Sequence, residues 1–268
     1  MTEPTNLKAY DLSAYIAEIY DQTETQVEDV NLLRELLAGQ GPLRILEPFC
    51  GNGRILIPLA QDGHEVVGMD KSQPMLASAR RKLLQHPAAV RDRVQLREVD
   101  VLESPWPVDF DLVVLGGNCL YELPTAESQE RCIMHASEAL RAGGRLYLDN
   151  NHMEGELATS WRAPGIQRNR FPTGVCHDGA RVEGTTETVW FDAAQRLARF
   201  RRTVQITHPG AETQVREWIE QKHPPSTVEM RAWLRQAGFD ILDLWGDRQR
   251  SPYSDAAGRA IFWATLHG

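Results

Sequence analysis

The run from Leu43 to Arg54, LRILEPFCGNGR, holds the densest chemistry in the chain. Ile45 and Leu46 read as a buried strand, Glu47 sets an acid at its end, and Gly51 and Gly53 form a loop that opens a helix over Ile55 to Ala60. Glycines there let a ligand come closer to the backbone than a Cβ would permit. The helix start behind them offers unpaired N–H groups and a positive dipole end to a negative group. An acid at the strand end suits hydroxyls or an amine. The stretch therefore predicts a small charged ligand, carrying a ribose, held above the strand ends. Polar residues close later strands in the same way: Asp70 after the apolar His64 to Met69, Asp100 after Val94 to Val99, Asn118 after Leu112 to Leu115 and the glycines Gly116 and Gly117, and Asp149 after Arg145 to Leu148.

Those positions need a scaffold that brings strand ends together. Helical patterns over Pro74 to Leu84 and Ser128 to Arg141 alternate with the apolar runs, which predicts an α/β fold with a parallel sheet covered by helices on both faces. Ligands of such sheets bind beyond the carboxyl ends of the strands, near the reversal in strand order. One crevice can then collect Glu47, Asp70, Asp100, Asn118 and Asp149. Upstream, Tyr10, Leu12, Tyr15, Ile16, Ile19 and Tyr20 fall at helical spacing and Val30 to Leu37 continues as a second helix. This segment reads as an amphipathic helix on the domain edge or, more sharply, as a lid that brings a tyrosine over the ligand, hinged at Tyr20-Asp21.

The pattern changes after Asn151. Ser160 to Gly179, rich in Pro, Gly and Arg, reads as a long loop, and Glu183 to Phe191, Leu197 to Thr207 and Thr213 to Gln221 as an inserted antiparallel meander. A capped helix over Ser226 to Gly238 and strands near Ile241 to Leu244 and Ala260 to Leu266 return to the first pattern. The expected division is a helical lid at 1–40, a ligand-binding core at 41–151, a loop and meander over the substrate site at 152–225, and the end of the core sheet at 226–268.

A length of 268 residues, with 42% hydrophobic and 25% charged residues, fits a globular protein with one full core and an appended subdomain. Cys50, Cys119, Cys132 and Cys176 show no metal-ligand spacing, and no signal peptide or membrane-length apolar run stands out. A cytoplasmic protein with reduced thiols, without a membrane partner, is the expectation. A net charge of -8 repels polyphosphate, so nucleic acid is disfavoured as the main partner. A homodimer is left open.

Two familiar phosphate loops fit poorly. A nicotinamide fingerprint needs a small residue at Leu56 and a glycine at Phe49, and a Walker loop needs a Gly-Lys-Ser/Thr that does not follow. The combination of Glu47-Pro-Phe-Cys-Gly-Asn-Gly53, Gly68-Met-Asp70 with Ser72 and Pro74-Met-Leu76, Asp100-Val101, Asp111 to Asn118, and Leu140-Arg-Ala-Gly-Gly-Arg-Leu146 instead resembles the class I S-adenosylmethionine-dependent methyltransferases. That resemblance implies a doubly wound, Rossmann-like, mostly parallel seven-stranded sheet. It implies S-adenosyl-L-methionine as cofactor and S-adenosyl-L-homocysteine as product. By the same resemblance, Glu47, Gly51 and Gly53 hold the methionyl part, Asp70 chelates the ribose hydroxyls, Met75 packs on adenine, Asp100 accepts from the adenine amine, and Asn118 lines the methionyl side. Tyr20, Cys50, Arg54, Lys71 and Val101 complete the expected cofactor site.

Within the family, the run Gly116 to Pro124 and the strand end Asp149-Asn-Asn-His152 look most like the glycine N-methyltransferase group and related small-molecule N-methyltransferases. Those glycine enzymes place an arginine two residues after the strand-end acid, where this chain has Asn151. Glycine as acceptor then requires an arginine from elsewhere, with Arg162, Arg168 and Arg170 as candidates. The acceptor candidates are Tyr20, Asn118, Tyr121, Asn151, His152 and Trp161, with Trp190, Trp218 and His223 from the insertion; both of those tryptophans read first as meander packing. His152, Tyr121 and Asn118 are the expected catalytic residues, His152 as general base. Asp149-Asn150 also resembles a metal-dependent catechol methyltransferase pair, but Gly116-Gly117 stand where a third oxygen ligand belongs, so no metal is expected. The leading expectation is methyl transfer to a small-molecule nitrogen, with oxygen as runner-up. A nicotinamide oxidoreductase and a non-catalytic cofactor-binding scaffold are the competing classes.

Overall fold

The computed structural model describes residues 14–151, 154, 159–165 and 167–268; Tyr10, Leu12 and the expected base His152 lie outside them. Two short helices, α1 (Ala14–Thr23) and α2 (Glu28–Leu37), precede an alternating series. It runs β1 (Arg44–Pro48), α3 (Leu56–Gln61), β2 (Glu65–Asp70), α4 (Gln73–Leu83), α5 (Ala88–Arg91), β3 (Val94–Glu98), β4 (Phe110–Leu115), a 3-10 turn (Cys119–Glu122), α6 (Ala126–Ala139) and β5 (Leu140–Asn151). Then come α7 (Thr159–Arg162), β6 (Gln167–Val175), β7 (Arg181–Asp192), β8 (Leu197–Thr207), β9 (Gln214–Lys222), α8 (Thr227–Gln236), β10 (Phe239–Trp245) and β11 (Arg259–Leu266). The described residues divide into two compact units: Gln26–Leu120, Glu127–Glu154 and Pro225–Gly268 form the larger, and the others the smaller.

The larger unit is a seven-stranded sheet in the order β10-β11-β5-β4-β1-β2-β3. β1 pairs in parallel with β2 and β4, β2 with β3, and β4 with β5, whereas β11 runs antiparallel to both β5 and β10. The chain leaves β1 toward β3 and then crosses to β4, so the order reverses between β1 and β4, where ligands of such sheets bind. Ile45, Leu46 and Leu112 to Leu115 are buried, as central strands covered on both faces must be. Leu32, Leu33 and Leu37 of α2 and Leu56, Leu59 and Ala60 of α3 pack in one cluster with Ile45, Val66, Tyr147 and Ile261. The Ser226 side chain accepts from the Glu229 N–H while the Glu229 carboxylate takes the Ser226 N–H, a reciprocal cap that starts α8. β5 is longer than the Arg145 to Leu148 expected, because its far end pairs with β11 as far as Asn151 and Arg259.

The smaller unit holds α1 and an antiparallel sheet in the order β6-β7-β8-β9. The three meander strands expected from the sequence are β7, β8 and β9, but the expected loop over Ser160 to Gly179 contains α7 and a fourth strand, β6. Pro172 hid that strand. It falls at the register shift between Arg170 and Thr173, and β6 pairs only with β7, an edge position where a residue without an N–H is tolerated. Val182, Val204 and Ile206 face Ile19 of α1 and Cys176, with Trp218 packed beside them. Trp190 departs from the expected packing role: it is exposed and carries the Arg199 guanidinium 4.7 Å from its ring centre.

Candidate functional site

The glycine loop is shaped by its backbone. Phe49, Gly51 and Gly53 all have positive φ (86°, 52° and 82°), so the chain turns sharply three times between β1 and α3. Phe49 sits where a side chain is strained, at the place where the sequence departs from glycine. The turns are fixed by Met69, whose carbonyl accepts from the Phe49 and Cys50 N–H groups at 2.8 and 2.9 Å. A Cβ added at Gly51 would meet nothing within 4 Å, so open space lies over that residue. Cys50 is buried, and burial pushes its thiol well above the usual range.

Asp70, at the end of β2, borders the loop. Its Oδ2 accepts from the Gly51 N–H and its Oδ1 from the Ser72 N–H, each at 2.8 Å. Ribose hydroxyls are therefore not its only donors; the protein itself fixes the carboxylate. Ser72 in turn caps α4 by accepting from the Met75 N–H, and Met75 is buried on that helix. Asp100, beyond β3, accepts from the Leu102 N–H at 2.9 Å, and the buried Val101 offers its carbonyl to Trp106 Nε1 at 2.8 Å. Lys71 follows Asp70 and is half-buried.

Glu47 is the decisive group. It is 5% exposed, its Oε2 is buried with no hydrogen-bond partner, and its carboxyl is pushed well above the usual range, by burial first. The nearby Arg54 opposes that shift, while Asp29 and Asp70 add to it. An orphaned carboxyl oxygen in a buried position calls for a donor from a ligand. A primary ammonium and a pair of ribose hydroxyls match Glu47, Asp70 and the space over Gly51, so these residues fit S-adenosylmethionine.

Beneath these groups runs an ion network that sequence reasoning missed. Arg54 holds the fully buried Asp29 through Nη1 and Nη2 at 2.7 and 2.6 Å. Burial works against ionising Asp29, but the hydrogen bonds from Arg54 and the charges of Arg54 and Arg248 outweigh it and hold the carboxyl below the usual range. Arg248 lies 3.5 Å from Asp29 and 3.0 Å from the fully buried Asp149. Arg259 meets the other Asp149 oxygen at 2.6 Å, and Tyr147 donates to Oδ2 at 3.1 Å. Arg54 and Asp149 were visible in the sequence as loop and strand-end residues. Asp29, Arg248 and Arg259 were not, because isolated charges on surface-like segments carry no spacing signal.

Asn118 stands at φ 62° just after β4. Its N–H donates to the Asp149 carbonyl, and its Oδ1 accepts from the Asn151 N–H at 2.6 Å and from Arg259 at 3.2 Å. Glu47, Cys50, Gly51, Gly53, Arg54, Asp70, Lys71, Met75, Asp100, Val101 and Asn118 thus all belong to the larger unit, at or beyond the carboxyl ends of β1 to β4. Tyr20 and Tyr121 belong to the smaller unit. There, Trp161 packs edge-on to Tyr121 and Phe200 at centroid distances of 6.3 and 5.1 Å. Beside them Lys222 reaches Glu220 at 2.7 Å and Glu122 at 3.5 Å, and His223 is buried. Among the described residues no group of three His, Cys, Asp or Glu could hold a metal ion.

Residues 46–146 match a family model described as a methyltransferase domain. The larger unit carries a class I, S-adenosylmethionine-dependent methyltransferase domain. The methyltransferase domain aligns with glycine N-methyltransferase of Homo sapiens at 30% identity over 142 residues, 48% of this chain and 48% of that protein. A longer match, 28% identical over 250 residues, joins 88% of this chain to 93% of the cypemycin N-terminal methyltransferase of Streptomyces sp. That one apart, the chain spans about half the length, or less, of the curated relatives it matches. In fold, the CcbJ methyltransferase from Streptomyces caelestis is similar at a TM-score of 0.68 and 20% identity, over 96% of this chain and 99% of that one.

Proposed function

We propose that this chain transfers the methyl group of S-adenosylmethionine to a nitrogen of a small-molecule acceptor by in-line displacement. The observation that carries the reading is the buried, unpartnered Oε2 of Glu47 beside the open space over Gly51 and the fixed carboxylate of Asp70. Glu47 takes the methionyl ammonium, Asp70 the ribose hydroxyls, Met75 and Val101 the adenine faces, Asp100 the adenine amine, and Asn118 the methionyl side. The cofactor, when bound, supplies an activated methyl on a sulfonium with a neutral thioether as leaving group. The protein's part is to hold that methyl in line with a neutral lone pair, and such positioning is worth on the order of 7–11 kcal/mol of barrier.

Nitrogen leads over oxygen because a neutral amine attacks with its own lone pair, whereas an alcohol must lose a proton to a base. The long alignment with a methyltransferase named for an N-terminal acceptor supports this choice. His152 and Tyr121 stay proposed catalytic groups on the strength of the sequence, His152 as the base for a protonated amine or a hydroxyl. The test is a radiolabelled-methyl transfer screen against metabolite pools, with mass spectrometry of the labelled product. A label on nitrogen supports the reading, and a label on oxygen, or binding of NAD in place of S-adenosylhomocysteine, overturns it.

A further inference from the structure

Asn151 occupies the position where the resemblance to glycine N-methyltransferases leads one to expect an arginine, and the fold brings a guanidinium there from another strand. Arg259 opens β11 and is the antiparallel register partner of Asn151. Its Nη1 donates to Asn151 Oδ1 at 2.8 Å and its Nη2 to Asn118 Oδ1 at 3.2 Å, while its Nε donates to Asp149 Oδ1 at 2.6 Å. Asp149 is fully buried and also takes Arg248, so the guanidinium is anchored by a carboxylate that is itself held on its other oxygen. With the Asn151 N–H at 2.6 Å, two donors converge on Asn118 Oδ1. They decide which end of that amide is oxygen, and they leave Nδ2, with its two N–H donors, as the end offered to a ligand.

We propose that Arg259 is a positioning residue for the cofactor site: it acts through Asn118, locking the amide so that Nδ2 donates toward the methionyl side. The inference rests on the proposed function for Asn118 and adds to it a residue about 140 positions further along the chain. Arg259 itself touches no ligand. None of the three arginines weighed from the sequence, Arg162, Arg168 and Arg170, is needed for this role.

A double-mutant cycle on S-adenosylhomocysteine binding tests it, read by titration calorimetry on the full chain. Arg259→Lys keeps a cation beside Asp149 but cannot reach both asparagines, so affinity falls on the order of tenfold. Asn118→Ala loses a similar factor, and the double variant is no weaker than Asn118→Ala alone. Losses that multiply in the double variant, or unchanged affinity in Arg259→Lys, overturn the inference and leave the cofactor reading standing. A wild-type chain that binds no S-adenosylhomocysteine overturns both. Should Arg259→Lys unfold, Arg259→Gln, which leaves the buried Asp149 its Arg248 partner, repeats the same comparison.

Discussion

Gly51 donates its backbone N–H to Asp70 Oδ2 at 2.8 Å, and this bond ties the turn of the glycine loop to the end of the neighbouring strand. Asp70 therefore has two tasks, one toward the loop and one toward the ribose. Replacing it by alanine frees the Gly51 and Ser72 N–H groups together. Stability should fall by about 1.5–3 kcal/mol, the scale of hydrogen bonds to a charged group, while the chain stays folded. Affinity for S-adenosylhomocysteine should fall by tenfold or more, on the order of 1.4 kcal/mol, in calorimetry. An unchanged affinity would contradict the assigned role.

Two glycines of this region separate folding from binding. At Gly51 an added Cβ meets nothing within 4 Å, so Gly51→Ala costs only the strain of a positive φ, roughly 1–2 kcal/mol, yet fills the space over the loop. At Gly68 the Cβ would stand 2.8 Å from Cys50 Sγ and 2.9 Å from Leu56 Cδ2. Gly68→Ala should lower stability by about 1–3 kcal/mol through overpacking. Thermal unfolding run beside ligand titration reads both. The expected pattern is weak melting loss with strong binding loss for Gly51→Ala, and a dominant melting loss for Gly68→Ala.

Glu47 makes stability depend on pH with a definite sign. Its folded carboxyl is raised well above the ordinary 4.5, so above that value the native state holds a proton that the unfolded chain releases. Its contribution is fully present below 4.5 and is lost as pH rises toward the folded value. Glu47→Gln removes this dependence. Urea midpoints taken across pH should fall less steeply with rising pH in the variant, while its affinity for S-adenosylhomocysteine drops for want of a carboxylate. Parallel midpoint curves would show that Glu47 ionises normally.

Asp29 is fully buried between Arg54 and Arg248. Removing one partner of a buried ion pair leaves the others uncompensated, at a cost of about 3–5 kcal/mol. Asp29→Ala should shift the urea midpoint accordingly, whereas the exposed pair Arg250–Glu35 should give a change of about 0–1 kcal/mol when Glu35 is truncated. Equal shifts in the two variants would mean that the network is no better than a surface pair.

The parts of the fold that were legible in the sequence are those written in periodicity. Apolar runs before Glu47, Asp70 and Asn118 announced a parallel sheet and the residues at its rim, because a run buried on both faces stays apolar until it leaves the sheet, whereas β3 before Asp100 is a partly buried edge strand carrying Gln95, Arg97 and Glu98. β6 escaped because Pro172 and the arginines around it are loop signals unless one knows that the strand lies at an edge. Arg259 and Asp29 escaped for a different reason. Their roles come from register and from packing between distant segments, and neither leaves a mark in local spacing.

Pro172 also bears on self-association. The small sheet ends on β6 at one side and β9 at the other, and an incoming strand needs a row of free N–H groups. On β6 that row is interrupted by a residue with no N–H and by the register shift around it. On β9 the adjacent Arg216 and Glu217 lie between the exposed Val215 and Ile219 and place charges along that edge, which guards it against strand addition.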